Sequence, residues 1–278
     1  MSALVDAADL RAELAQPSPP VVIDVQWVLT GAQGPSGRER YAAEHLPGAA
    51  YVDLDAELAG PPGPRGRHPL PDPQVVAAAL RRAGVDQDSR VVVYDQGPSF
   101  AAARAWWVLR WVGLQDVRVL DGGLSAWVED GGPTTAEVPV AGAGAFTARP
   151  GSLPVLDADA AAKVARTGTL VDARAAERFA GLSEPIDPVA GHIPGAVNAP
   201  TTDNARPDGR FLEPAELREH YSRLGIGTAS APVGVYCGSG VTAAHALLAM
   251  HEAGIDAALY VGSWSEWITD PARPVATA

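Results

Sequence analysis

The chain has very little cysteine: Cys237 is the only one among 278 residues. A single thiol excludes an intrachain disulfide, and it also excludes a second, resolving thiol on the same chain. Any group that Cys237 accepts must therefore pass to an outside acceptor. The six histidines are scattered and have no second thiol to join, so we expect no structural zinc site.

Basic residues are also scarce. Lys and Arg together number 21, against 33 Asp and Glu, which leaves a net charge of −12 and no Lys/Arg cluster. A nucleic-acid partner needs a basic stripe, so none is expected. The sequence also lacks a long apolar run and the basic-then-apolar pattern of a signal peptide. We therefore expect a globular protein of the cytoplasm that does not enter a membrane.

The single cysteine stands where a predicted strand meets a predicted helix. The apolar run Val233–Tyr236 ends at Cys237, and an alanine- and leucine-rich segment of helical composition starts at Thr242. Gly238 and Gly240 let the loop between them curl, so that several backbone N–H groups point to one spot. These amides and the first helical turn favour the thiolate, which is the reactive form. A lone cysteine is more often a small buried residue, but this context predicts a nucleophile.

The chain repeats one plan twice. Each copy has a short strand that ends in an acid, a His-x-Pro-Gly-Ala phrase, a buried strand followed by an alanine-rich helix, and a closing strand with a tryptophan motif. In order, the paired segments are Val21–Asp24 and Leu170–Asp172, His45 and His192, Val91–Tyr94 and Val233–Tyr236, and Val119–Trp127 and Leu259–Trp267.

Strands that alternate with helices predict an α/β fold, with a parallel sheet covered by helices on both faces in each copy. The stretch from Glu129 to about Pro154 is rich in Gly, Pro, Thr and Ala and reads as a linker. We predict an N-terminal domain over 1–135, a linker over 136–155 and a C-terminal domain over 156–278. The predicted helices are roughly Ala7–Ala15, Pro73–Ala83, Ala101–Val112, Ala158–Ala165 and Pro214–Leu224.

The loop Cys-Gly-Ser-Gly-Val-Thr-Ala at 237–243 resembles the active-site loop of the rhodanese superfamily, in the form carried by 3-mercaptopyruvate sulfurtransferases. The order of the paired segments extends this resemblance over essentially the whole length. It implies a sulfurtransferase that moves sulfane sulfur from 3-mercaptopyruvate, through a persulfide on Cys237, to cyanide or a thiol such as thioredoxin. It also implies that loop residues bind the donor: Gly238, Gly240, Val241 and Thr242.

The two copies differ at the nucleophile. Asp95 stands where the second copy has Cys237, and Gln96–Phe100 replaces the glycine loop. A carboxylate cannot carry sulfane sulfur, so the N-terminal domain is expected to be catalytically degenerate. The histidines of the two His-x-Pro-Gly-Ala phrases are expected to brace turns. Trp106, Trp107 and Trp111 have the spacing of helix core residues.

A carboxylate-bearing donor needs a planar cationic clamp, and arginine offers two parallel hydrogen bonds. Arg178 resembles the family's arginine that faces the active site. The alternative is a solvated helix arginine paired with Glu177 or Asp172.

A second arginine, which the family commonly places shortly before the second His-x-Pro-Gly-Ala phrase, is missing from the segment 182–190. Arg65 or Arg67 would have to supply this charge, or the affinity for mercaptopyruvate would be weak.

The first copy contains two segments that resemble the family's proton relay. The resemblance assigns Asp55, His68 and Ser239 to it, with the histidine as proton shuttle and the acid fixing its tautomer. In the alternative, Ser239 only binds substrate and His68 braces a proline-rich loop.

Several functions remain open. Thiosulfate-preferring rhodaneses carry basic residues directly after the cysteine, whereas Gly238-Ser239 is neutral, which favours a singly charged donor. Thiosulfate:cyanide transfer is the runner-up, and a sulfur carrier without turnover is a third possibility. Rhodanese-like phosphatases need an arginine where this chain has Ala243, which argues against phosphatase activity.

Overall fold

The computed structural model describes residues 2–29, 33–140, 142–228 and 231–277. The chain divides into two compact units. The first unit comprises Met1–Gly60, Pro71–Ser152 and Pro207–Phe211, and the second comprises Pro61–Leu70, Leu153–Arg206 and Leu212–Ala278. Residues 61–70, which precede the predicted linker, thus group with the C-terminal unit. The boundaries predicted at 135 and 156 stay a prediction.

The first unit has a five-stranded parallel sheet in the order β1-β5-β4-β2-β3. Its strands are β1 Leu4–Val5, β2 Val21–Asp24, β3 Ala50–Tyr51, β4 Val91–Tyr94 and β5 Val117–Leu120. Its helices are α1 Ala7–Leu14, α2 Gly37–Ala43, α3 Leu54–Glu57, α4 Pro73–Arg82, α5 Phe100–Trp111 and α6 Gly123–Glu129.

The second unit repeats this topology, because its parallel sheet has the order β6-β10-β9-β7-β8. The strands are β6 Val155–Leu156, β7 Thr169–Asp172, β8 Val197–Asn198, β9 Val233–Tyr236 and β10 Ala258–Tyr260. The helices are α7 Ala158–Thr167, α8 Ala176–Phe179, α9 Pro214–Arg223, α10 Val241–Glu252 and α11 Ser263–Trp267, with a 3-10 turn at Thr201–Asn204. The predicted α/β fold and tandem duplication are confirmed.

The strands that precede Asp95 and Cys237, β4 and β9, each lie at the centre of their sheet. Every residue of β4 and of β9 is buried, as expected for a short apolar run with a neighbouring strand on each side. Alternation with helices places the carboxyl ends of these strands, at Asp95 and Cys237, at one edge of each sheet. Ligands bind at that edge in open parallel sheets.

The His-x-Pro-Gly-Ala phrases have the structural role expected of them. In the second unit, His192 Nδ1 lies 2.8 Å from the Phe179 carbonyl, and the Ile193 N–H donates to the hydroxyl of Tyr236. The first unit repeats this pattern with His45, whose Nδ1 lies 2.7 Å from the Tyr41 carbonyl. The Leu46 N–H likewise donates to the hydroxyl of Tyr94 at 3.0 Å. In each unit, the tyrosine that ends the central strand therefore holds the turn that begins at the histidine. The three tryptophans of α5 are buried, as core residues.

Within the described residues, we find no helix with the length and apolar character needed to cross a membrane.

Candidate active site

The nucleophile candidate lies directly after β9 and directly before the loop that starts α10. Cys237 is a free thiol with 1% of its surface exposed. The Gly240 N–H donates to its Sγ at 3.1 Å, which is one of the amides expected in the predicted cradle. Gly240 has φ +83°, a left-handed conformation that glycine adopts readily, and α10 begins at the next residue. The loop therefore aims a main-chain donor at the sulfur.

The turn that starts α11 holds this loop in place. Ser263 Oγ accepts the Cys237 N–H at 3.1 Å and donates to the Tyr260 carbonyl at 2.9 Å. The N–H groups of Trp264 and Ser265 donate to the Cys237 and Gly238 carbonyls, each at 2.9 Å. The backbone on both sides of the thiol is thus fixed by hydrogen bonds.

Ser263 was not found by sequence reasoning, although the repeat offered a signal. It has φ +55°, in the left-handed region where residues other than glycine cost about 1 kcal/mol. The first unit has a glycine at the matching position, Gly123, with φ +60°. The serine supplies a hydroxyl that accepts the Cys237 N–H. A glycine at this position could not make that hydrogen bond.

In the first unit a carboxylate fills the corresponding cradle. Asp95 Oδ1 accepts the N–H groups of Gly97 and Ser99, and Oδ2 accepts those of Ala101 and Ala102, at 2.9 to 3.2 Å. Burial raises the pKa of Asp95, and these four amides oppose that shift by stabilising the carboxylate. The Asp95 carboxylate thus satisfies the backbone N–H donors around it, which agrees with a catalytically degenerate site.

His68 and Ser239 meet in the second unit. His68 Nδ1 lies 2.8 Å from Ser239 Oγ, and both side chains are buried. This pair matches two members of the predicted relay. Asp55 belongs to the first unit, where it lies in the first turn of α3 and accepts the indole N–H of Trp27 at 3.1 Å. Its place in the relay stays a prediction.

Arg178, the predicted clamp, pairs with neither of the carboxylates that the sequence suggested as alternatives. Its Nε and Nη2 bind Glu184 at 3.1 and 2.6 Å, and Nη2 also lies 3.2 Å from Asp187. Asp172 instead binds Arg174 at 2.6 Å within the buried interior. The segment 182–190 therefore supplies acidic partners to Arg178.

A second guanidinium is present at the site, from Arg67. It binds Asp187 through Nη1. A methyl group placed on the Cα of Gly238 would lie 2.9 Å from Nη2 of Arg67 and 3.5 Å from Nη2 of Arg178. Gly238 and Ser239 are neutral, as the sequence shows, and two cations from elsewhere in the chain lie over the residue after the cysteine. Arg67 is one of the two arginines expected to supply the missing charge. Arg65, the other predicted substitute, is exposed.

Arg67 has hydrogen-bonding capacity left. Its Nε is buried and has no hydrogen-bond partner among the described residues. A buried donor of this kind is costly unless a ligand or water satisfies it. The arrangement suits an anion bound beside Gly238.

The remaining two predicted residues, Val241 and Thr242, open α10. Val241 is buried, and the Thr242 carbonyl accepts the Thr201 hydroxyl at 3.3 Å. Their contact with a donor stays a prediction. Among the described residues, no group of three or more His, Cys, Asp or Glu side chains is placed to hold a metal ion.

A buried histidine next to this loop gives a testable pH dependence. Burial lowers the pKa of His245, on α10, from 6.5 to about 3. Below about pH 6.5 the unfolded chain takes up a proton that the folded chain refuses, so acid favours unfolding. We expect the loss of unfolding free energy between about pH 7 and about pH 5 to be about 2 kcal/mol smaller in His245→Gln than in the wild type.

The measurement is urea unfolding at both pH values, with His251→Gln as control, since His251 is partly exposed on the same helix. Equal pH dependence in the wild type and His245→Gln would contradict this expectation.

Comparison with known proteins identifies the family to which this fold and this site belong. The rhodanese-like domain family matches the chain twice, at residues 6–130 and 156–270. The chain therefore belongs to the rhodanese family, and the predicted tandem of rhodanese-like domains is confirmed.

Three similar proteins are informative. The probable 3-mercaptopyruvate sulfurtransferase of Pseudomonas aeruginosa is 48% identical over 281 residues, which cover 99% of this chain and 98% of the relative. The putative thiosulfate sulfurtransferase SseB of Mycobacterium tuberculosis is 43% identical over 283 residues, which cover 98% and 96%. The crystal structure of SseA from Escherichia coli has a TM-score of 0.83 and 34% identity, over 96% of this chain and 100% of that one. The predicted enzyme class, sulfurtransferase, is confirmed.

Proposed function

We propose that this sulfurtransferase takes sulfur from 3-mercaptopyruvate onto Cys237 and passes it to cyanide or to a thiol. The observation that carries the proposal is the pair of guanidiniums, Arg67 and Arg178, over Gly238 beside the buried thiol. Two arginines can orient a carboxylate next to the nucleophile. The relative in Pseudomonas aeruginosa bears the name of this activity.

The chemistry balances without a cofactor. The Cys237 thiolate attacks the donor sulfur, an S–S bond forms, and the C–S bond breaks with its electron pair moving to carbon. The resulting enolate of pyruvate needs one proton, and the donor thiol releases one when the new persulfide ionises. In the second half-reaction, an acceptor thiolate or cyanide attacks the outer sulfur and Cys237 leaves as the thiolate.

The His68–Ser239 pair supplies a route for that proton. With Nδ1 of His68 and Oγ of Ser239 at 2.8 Å, one group can accept a proton while the other releases one. The Gly240 amide, which reaches Sγ, can stabilise negative charge on the sulfur of Cys237. The proposal has three further parts. Asp55 orients His68, thioredoxin serves as an acceptor, and the protein acts in the cytoplasm.

Thiosulfate is the second candidate donor, for two reasons. The relative in Mycobacterium tuberculosis is named as a putative thiosulfate sulfurtransferase. Two guanidiniums also lie over Gly238, the position after the cysteine where thiosulfate-preferring rhodaneses carry basic residues. Comparing kcat/KM for the two donors separates the candidates.

The decisive experiment measures kcat/KM for both donors on the wild type, Arg178→Ala, Arg67→Ala and Arg65→Ala. We expect mercaptopyruvate to be the better donor of the wild type. Loss of either clamp arginine should lower kcat/KM for it roughly 10- to 100-fold, since a charged hydrogen bond is removed from a buried site. Arg65→Ala is the matched control, because this arginine is exposed and only two positions away.

Three results would contradict the proposal. In the first, Arg67→Ala and Arg178→Ala behave like Arg65→Ala. In the second, the wild type prefers thiosulfate, and in the third, pyruvate release stops at one equivalent. A single burst without turnover would favour a sulfur carrier.

A further inference from the structure

Two carboxylates face the two clamp arginines. Asp187 lies between the guanidiniums, with Oδ1 bound to Arg67 and Oδ2 3.2 Å from Arg178. Glu184 binds Arg178 at 2.6 Å. Both acidic side chains are 4% exposed, so solvent screens their charge poorly.

The charges of this cluster cancel. Arg174 and Asp172 form the adjacent buried pair, so the cluster holds three cations and three anions, and Arg174 Nη1 reaches Glu184 at 3.3 Å. The cluster therefore has no net positive charge to offset the charge of a donor. The repulsion from its carboxylates is larger for a dianionic donor than for a monoanionic one.

Glu184 and Asp187 differ in the groups that they bind. Glu184 also accepts the backbone N–H groups of Ile186 and Asp187, at 3.2 and 3.1 Å, so it shapes the turn that carries both acids. Burial alone would raise the pKa of Glu184, but the bond from Arg178 and these amides hold it below its ordinary value. The carboxylate of Asp187, among the described residues, bonds only Arg67 and Arg178. Its charge is directed at the clamp alone.

We propose that Asp187 determines donor specificity by charge: it occupies the shared side of the two clamp arginines, so that the site accepts a monoanionic α-keto acid thiol and disfavours the dianion thiosulfate. This inference rests on the proposed function. The donor carboxylate binds the remaining guanidinium donors, of which the buried Nε of Arg67 is one. An added negative charge within a few ångströms of Asp187 is repelled.

The test is the ratio of kcat/KM for thiosulfate to kcat/KM for mercaptopyruvate. Asp187→Asn keeps the size of the side chain and removes its charge, so we expect the ratio to rise at least tenfold, mainly through a lower KM for thiosulfate. The rise should persist at higher ionic strength, because salt screens a buried charge much less than an exposed one. Asp187→Glu should keep the wild-type preference. Glu177→Gln is the control, because it makes the same charge change at an exposed position of α8.

An unchanged ratio in Asp187→Asn, or an equal rise in Glu177→Gln, would overturn the inference. A second measurement needs no variant: pyruvate should inhibit the wild type at lower concentration than sulfate, and the reverse order would also overturn it. The proposed function is judged separately, on the wild type. An enzyme active with mercaptopyruvate but indifferent to Asp187→Asn would leave that function standing and refute only the role of Asp187.

Discussion

Cys237→Ser is expected to lower sulfur transfer by about four orders of magnitude or more, because removing a catalytic nucleophile has effects of that size. A serine hydroxyl can still accept the Gly240 amide in place of Sγ. It cannot form a persulfide, however, and Cys237 is the only thiol of the chain. The variant should therefore fold normally and be inactive with every donor.

Mass spectrometry of the protein and of its peptides after incubation with mercaptopyruvate measures this directly. The wild type should gain the mass of one sulfur atom on the peptide that contains Cys237, and cyanide should remove it. Cys237→Ser should gain nothing under the same conditions. Sulfur found on the serine variant, or pyruvate release by it, would refute the assignment of the nucleophile.

Asp95→Asn should produce the largest loss of stability among the substitutions considered. An asparagine offers one acceptor oxygen, and its NH₂ group would face two of the four amides that the carboxylate now satisfies. Buried donors left without a partner cost 1 to 3 kcal/mol each, so we expect the free energy of unfolding to fall by about 3 kcal/mol.

Denaturant unfolding of Asp95→Asn beside Asp88→Asn checks this expectation, since Asp88 is an exposed carboxylate of the same unit. The control should change the free energy of unfolding by less than about 0.5 kcal/mol. If the two variants were equally stable, the carboxylate would not be what satisfies the degenerate loop.

Much of the local structure followed from short-range pattern. Helix α4 runs from Pro73 to Arg82, close to the predicted Pro73–Ala83, since Asp72 caps it and proline suits its first turn. Strand β9 ends at Tyr236, as the apolar run predicted. Such features depend on neighbours in sequence, so composition and spacing are enough to find them.

The ion-pair partners of Arg178 were harder to predict. The sequence suggested Glu177 or Asp172 for Arg178, on the basis of proximity along the chain, but the structure pairs it with Glu184 and Asp187. Helix α8 has only four residues, and the chain after it turns back. The choice among nearby carboxylates is then made by how the turn folds, which no periodicity encodes.

The sequence by itself determined the duplication, the parallel α/β plan, the position of Cys237 at a strand end, and the loss of the thiol from the first copy. Only the tertiary structure decided which cations lie over Gly238, that Ser263 holds the Cys237 amide, and that Asp187 stands between Arg67 and Arg178. Local patterns record the preferences of a residue for its own backbone, whereas contacts between distant segments depend on packing of the whole unit.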